Sequence, residues 1–189
     1  MNVFDFDNTI YDGESSFDFF KFCIRKKPSL VKHMPKVAAM LFKYKTSKVD
    51  KSEVLDFCSQ MLIVLAENKE QLEKSLSQFW SENKAKLKPK LLEMIKSGDV
   101  IISASPSFIF DGIKDELNGA EIISTQVDLE LMQITSLCYG DNKVAEFNKR
   151  YGTVRPDNYY TDNLNDAPML EIAKNAWLVK GSNISKYEV

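Results

Sequence analysis

Glycine is scarce in this chain, seven in 189 residues, and none of the seven sits in a Gly-rich phosphate loop or a dinucleotide-binding fingerprint. A Walker-type nucleotide site is therefore excluded. Histidine is scarcer: His33 is the only one, so any mechanism needing a histidine pair is ruled out. Its place beside Met34-Pro35, far from the acidic motifs, reads as a surface or packing position. The three cysteines, Cys23, Cys58 and Cys138, are odd in number and far apart, with no CxxC pair to hold zinc or act as a redox dithiol. They read as free thiols of a reducing compartment, Cys23 and Cys58 as packing residues within helical apolar patterns. Long apolar runs are missing too. None approaches the ~18 residues of a spanning helix, and the N-terminus enters Val3-Phe4 without a charged leader and apolar h-region. The expectation is a cytoplasmic protein with no transmembrane segment and no nucleic-acid partner.

What is present is the composition of a globular protein, 44% hydrophobic and 28% charged, long enough for one ordinary domain plus a sizeable insertion. The net charge of −2 is unevenly spread, because residues 17–51 carry ten Lys and Arg against Asp18 and Asp50. Such a stripe is either a solvated helix face or a surface that attracts an anionic substrate or a membrane surface.

After Gly13 the apolar residues follow helical spacing in four stripes: Phe17, Phe20 and Ile24, ended by Pro28; Leu30 to Tyr44; Val54 to Leu65; and Leu72 to Trp80. A four-helix unit is expected there. Past Lys88-Pro89 the texture changes. A short helix at Leu91 to Ile95 precedes a buried strand, Val100-Ile101-Ile102. Ser105-Pro106 then reads as the start of a helix reaching Leu117. Strands are expected at Ile122 to Thr125, Leu129 to Leu137, Tyr159 to Thr161 and Trp177 to Val179, with a helix from Pro168 to Lys174. Strands alternating with helices predict an α/β fold with a parallel sheet, whose ligand site lies outside the carboxyl ends of the strands. The polar residues ending separate strands, Asp5/Asp7/Thr9, Ser103 and Asp162, should therefore meet at one edge.

The densest of these is Asp5-Phe6-Asp7-Asn8-Thr9, directly after the apolar Val3-Phe4. Side chains two apart on a strand share a face, so Asp5 and Asp7 should converge. Two close carboxylates repel unless a cation sits between them, and a hard divalent metal is the natural one. An acidic strand end followed by a polar turn remains the competing reading of this stretch alone.

Four motifs in order resemble those of a haloacid dehalogenase (HAD) superfamily hydrolase, of the phosphoserine-phosphatase-like (subfamily IB) branch with a helical C1-type cap. They are Asp5-Phe6-Asp7-Asn8-Thr9, Ser103 after its strand, Lys143 in Gly140-Asp141-Asn142-Lys143-Val144, and Asp162-Asn163-Leu164-Asn165-Asp166. The resemblance implies a Rossmann-like core over residues 1–13 and 87–189 and a helical cap over 14–86. It also implies a magnesium-dependent phosphomonoester hydrolase acting on a small phosphorylated metabolite. Asp5 would be the nucleophile that forms an aspartyl-phosphate, and Asp7 the acid and base. Thr9 and Ser103 would donate to the phosphoryl group, and Lys143 would hold phosphate and nucleophile together. Mg2+ would be held by Asp5, the backbone carbonyl of Asp7, and Asp162, with Asp166 either a further ligand or an orienting acid. Asn8 departs from the pattern where glycine is frequent, as do Thr161 and Asn163 beside Asp162. A phosphotransferase or phosphomutase, and a non-catalytic phospholigand-binding module, are the alternatives. The basic, Phe-rich helical segment keeps a lipid-linked phosphate in view as a second substrate class, with the turn from Thr46 to Lys51 as its substrate-facing element.

Overall fold

Strand β1, Asn2–Phe4, lies at the centre of a seven-stranded sheet, with Val3 and Phe4 fully buried. In this computed structural model, which describes residues 1–46, 50–66 and 68–188, β1 pairs in parallel with strands on both sides. On one side lies β2, Val100–Pro106, and beyond it β3, Glu121–Asp128. On the other lies β5, Asn158–Thr161, and beyond it β6, Asn175–Lys180. Antiparallel strands β4, Gln133–Ser136, and β7, Asn183–Tyr187, close the two edges. The order β4-β3-β2-β1-β5-β6-β7 means that the chain winds outward from β1 in both directions. A crevice for ligands opens at the carboxyl end of the strands where that winding reverses.

Both faces of the sheet are covered, and for that reason the central strands read as unbroken apolar runs. Register sorts them by face. Phe4 aligns with Ile101 and Tyr160 in one core, the Phe4 and Tyr160 rings stacked at 4.7 Å, while Val3 aligns with Val100 and Tyr159 in the other.

Between β1 and the return to the sheet come helices α1, Ser15–Lys26; α2, Met34–Lys45; α3, Lys51–Leu65; and α4, Lys69–Asn83. A 3-10 stretch, Pro28–His33, joins the first two. Asp50 caps α3 through the Ser52 amide at 2.8 Å, and Asn68 caps α4 through the Gln71 amide at 3.0 Å. Helix α1 meets α4 through Phe19 and Phe22, both edge-on to Phe79 at 5.4 and 5.9 Å. Truncating so buried an aromatic as Phe79 to alanine costs about 3–5 kcal/mol. Short helix α5, Pro89–Met94, leads into β2; α6, Asp141–Tyr151, and α7, Ala167–Ile172, flank β5 in sequence. Among the described residues, no helix is long and apolar enough to cross a membrane.

Three expectations need correction. The helix from Ser105 to Leu117 does not form: Ser105 and Pro106 finish β2, and 3-10 pieces at Ser107–Gly112 and Lys114–Leu117 follow. The indole of Trp80 takes the Ile109 carbonyl at 2.7 Å, an acceptor that a continuing α-helix would use, and the Ile113 amide turns to Phe110 instead. Gly112 permits this approach, since a Cβ there would lie 2.5 Å from the Trp80 ring. The strand from Leu129 to Leu137 shrinks to β4, because the Asp128 carboxylate accepts from the amides of Glu130 and Leu131, both at 2.9 Å, and folds the first residues into a turn. Strand β7 was not expected. The turn from Thr46 to Lys51 centres on residues 47–49, which lie outside the described residues.

Candidate active site

The first acid of the central cluster, Asp5, continues the line of β1 by one residue, its amide donating to the Tyr160 carbonyl at 2.8 Å. The second, Asp7, is already past the strand, in a turn in which the Ile10 and Tyr11 amides both return to the Phe6 carbonyl. The two acids are thus brought together by a turn and not by strand alternation, which is where the expected geometry differs. Asn8 explains the missing glycine. Its φ is 57°, a left-handed conformation that asparagine tolerates, and its amide donates to the Gly13 carbonyl at 2.9 Å. Lys88 donates to the Asn8 carbonyl, and the Asn8 side-chain amide donates to Glu14 at 2.9 Å.

Lys143 reaches this corner from the first turn of α6. Gly140, at φ 55°, makes the sharp entry to that helix and accepts from the Lys143 amide at 3.0 Å. The buried ammonium then bridges two buried acids, Asp5 Oδ1 and Asp166 Oδ2, at 2.8 Å each. Asp166 Oδ2 also accepts from the Tyr159 hydroxyl at 2.7 Å and the Thr161 hydroxyl at 2.9 Å. With three donors on one oxygen, Asp166 is an anchor for Lys143.

Asp7 has its own support. Its Oδ2 accepts from Ser105 Oγ at 2.6 Å and its Oδ1 from the Ser15 amide, the first of α1, at 2.6 Å. Ser105 Oγ lies 2.9 Å from the hydroxyls of both Ser15 and Ser16, and the Ser105 amide donates to Ser103 Oγ at 3.0 Å. The sequence pattern singles out none of Ser15, Ser16, Ser105 and Tyr159 as a site residue. Ser105 carried a signal, but Ser-Pro reads equally as a helix start.

A small cavity of about 40 Å³ is lined by Asp5, Asp7, Asn8, Lys143, Asp162 and Asp166, among others, so five of the seven expected site residues converge. Thr9 and Ser103 do not line it. Both are fully buried, and the Thr9 hydroxyl has no hydrogen-bond partner among the described residues. Burial pushes the Asp5 carboxyl well above the usual range; Lys143 opposes this, while Asp166 and Asp162 add to it. Burial also raises Asp7, against the hydrogen bonds from Ser105 and Ser15. Asp162 is pushed up to about 6 by burial and by the charges of Glu14 and Asp166.

One buried lysine among this many acids leaves a pocket short of positive charge, and oxygen donors in that setting suit a hard divalent cation. No ready-made cluster of three metal-ligating side chains exists among the described residues. Magnesium does not require one: it takes one or two carboxylates and keeps several waters, so Asp5, Asp162 and the main-chain carbonyl of Asp7 fit it.

A sheet wound both ways from a central strand, with acids at that strand's carboxyl end and a lysine bridging them from a helix, defines an α/β enzyme scaffold of the haloacid dehalogenase type. The family model for haloacid dehalogenase-like hydrolases matches residues 3–171, and the chain belongs to that family. No curated protein matches it in sequence. Among solved structures it is similar to a protein with unknown function from Bordetella pertussis Tohama I, with TM-score 0.76 and 18% identity over 93% of this chain and 87% of that one. It is similar as well to a phosphoserine phosphohydrolase-like protein from Francisella tularensis, with TM-score 0.61 and 16% identity over 93% and 86%. A phosphoserine phosphatase captured as a phospho-aspartyl intermediate analogue gives TM-score 0.54 and 14% identity over 92% and 83%. These are likenesses of fold.

Proposed function

We propose that this chain is a magnesium-dependent phosphomonoester hydrolase that works through an aspartyl-phosphate on Asp5. The observation that carries the reading is the separation of duties between two neighbouring acids: Asp5 is held by Lys143, and Asp7 by Ser105 and Ser15.

Phosphoryl transfer asks for an in-line nucleophile, neutralised oxygens and a proton for the leaving group. In the first step an Asp5 oxygen bonds to phosphorus, the bond to the ester oxygen breaks, and Asp7 gives that oxygen its proton. Burial favours the protonated form of Asp7 that this step needs. In the second step Asp7 takes a proton from water, the water oxygen attacks phosphorus, and Asp5 leaves as carboxylate. Lys143 stays on Asp5 throughout and is kept there by Asp166. Bound Mg2+, held by Asp5, the Asp7 carbonyl and Asp162, would neutralise the phosphoryl oxygens as they approach the acids. The helical segment over residues 14–86 acts as a cap that excludes water during the first step, with residues 1–13 and 87–189 as the catalytic core. The substrate is a small phosphorylated compound. A phosphoserine phosphatase of the same fold has been captured as an intermediate analogue of this kind, which supports the scheme.

Turnover of an aryl phosphate by the full chain should require added Mg2+ and vanish in excess chelator. Undiminished turnover in chelator would remove the metal from the scheme.

A further inference from the structure

A second and larger cavity, about 200 Å³, opens beside the first, and the two share Asp7, Glu14 and Ala104 on their common wall. Its far walls come from α1, α2, α3 and the start of β4, with Phe17, Phe20, Val54, Phe57, Met61 and Ile134 facing in. Among the described residues that line it, Asp7 and Glu14 are the charged ones, and no Lys, Arg or His occurs. Of the polar side chains on its wall, Ser16 and Ser105 are bonded to each other, Thr125 accepts from the Cys138 amide at 3.1 Å, and Tyr139 lines it as well.

We infer that the alcohol released by this enzyme carries an apolar body: the substrate is the phosphate monoester of a lipid-like alkyl alcohol, its chain seated in this cavity. The inference rests on the phosphomonoesterase reading, because it places the departing oxygen next to Asp7, on the wall between the two cavities. From there the larger cavity offers the alcohol a mostly apolar wall. Among the described lining residues a carboxylate or a second phosphate would find no cation, and the several hydroxyls of a sugar would meet a wall on which polar side chains are few against the apolar ones, a cost to burying them there. An ammonium group would find Asp7 and Glu14, both on the wall shared with the smaller cavity, and no other acid among the described lining residues. A dry apolar cavity of about 150 Å³ holds benzene, so this one has room for a chain of about eight carbons.

The test uses the full chain with Mg2+ and a series of methyl-, butyl-, hexyl- and octylphosphonate, which cannot be hydrolysed, with octyl phosphate and O-phosphoserine as substrates alongside. Burying a methylene is worth about 0.8 kcal/mol, so the dissociation constant should fall about twofold to fourfold per carbon and level off near eight. Octylphosphonate should also compete with an aryl phosphate for turnover. A flat series, or phosphoserine turned over better than octyl phosphate, overturns the inference; with aryl phosphate still hydrolysed, the hydrolase reading stands without it. A rising series in a protein that hydrolyses no phosphomonoester upholds the apolar site and overturns the hydrolase reading.

Discussion

Lys143 and Tyr159 donate to the same oxygen, Oδ2 of Asp166, at 2.8 and 2.7 Å. The tyrosine comes from the buried centre of β5 and the lysine from α6, so Asp166 ties the sheet to the helix that carries the site's cation. Tyr159→Phe removes a hydrogen bond to a charged group and should lower stability by about 1.5–3 kcal/mol. Activity should fall about tenfold with the protein still folded, because Lys143 loses part of what fixes it on Asp5. Circular dichroism melts alongside steady-state rates separate the two effects.

Ser105 should matter in a way that depends on the leaving group. Ser105→Ala frees Asp7 Oδ2 from its 2.6 Å hydroxyl partner while leaving the carboxyl itself in place. An alkyl phosphate, whose alkoxide needs a proton, should be hydrolysed about tenfold more slowly. An aryl phosphate should be slowed much less in its first step. Equal losses on both substrates would make Ser105 a packing residue only.

Asp18 on α1 accepts from Tyr11 at 2.9 Å and Lys86 at 2.8 Å, joining the helical segment to the chain beside β1. Burial pushes its carboxyl up, but hydrogen bonds from Lys21, Lys86 and Tyr11 outweigh that and hold it below the ordinary value. A depressed folded value means the contribution is fully present above the unfolded value, about 3.9, and is lost as pH falls through the folded one. Asp18→Asn should therefore lower the melting temperature at pH 7, with the gap to the parent closing below about pH 4. A gap that persists unchanged at pH 2 would show that the charge is not what stabilises.

Much of this was legible in the sequence because the core strands are short apolar runs ending in polar residues. Val3-Phe4, Val100-Ile101-Ile102 and Tyr159 to Thr161 became β1, β2 and β5, and Asp5, Asp7, Lys143, Asp162 and Asp166 line one cavity, whereas Thr9 and Ser103, expected at the same edge, do not. What escaped depends on contacts far apart in the chain. Ser105-Pro106 carries the same local signal whether it starts a helix or ends a strand, and the bond from Trp80 to the Ile109 carbonyl decides between them. Tyr159 looked like one more apolar strand residue, since nothing near it in sequence says that its hydroxyl meets Asp166. Strand β7, with burial alternating weakly along an exposed edge, has too little apolar pattern to stand out.

The most direct measurement is trapping of the phosphoenzyme in two variants of neighbouring acids. With an aryl phosphate, Asp7→Asn keeps the nucleophile and needs no proton for the leaving group, but the attacking water lacks its base. It should accumulate acid-stable, hydroxylamine-sensitive phosphate on the protein, and Asp5→Asn should accumulate none. If Asp5→Asn labels as well as the parent, the nucleophile lies elsewhere and the account is contradicted.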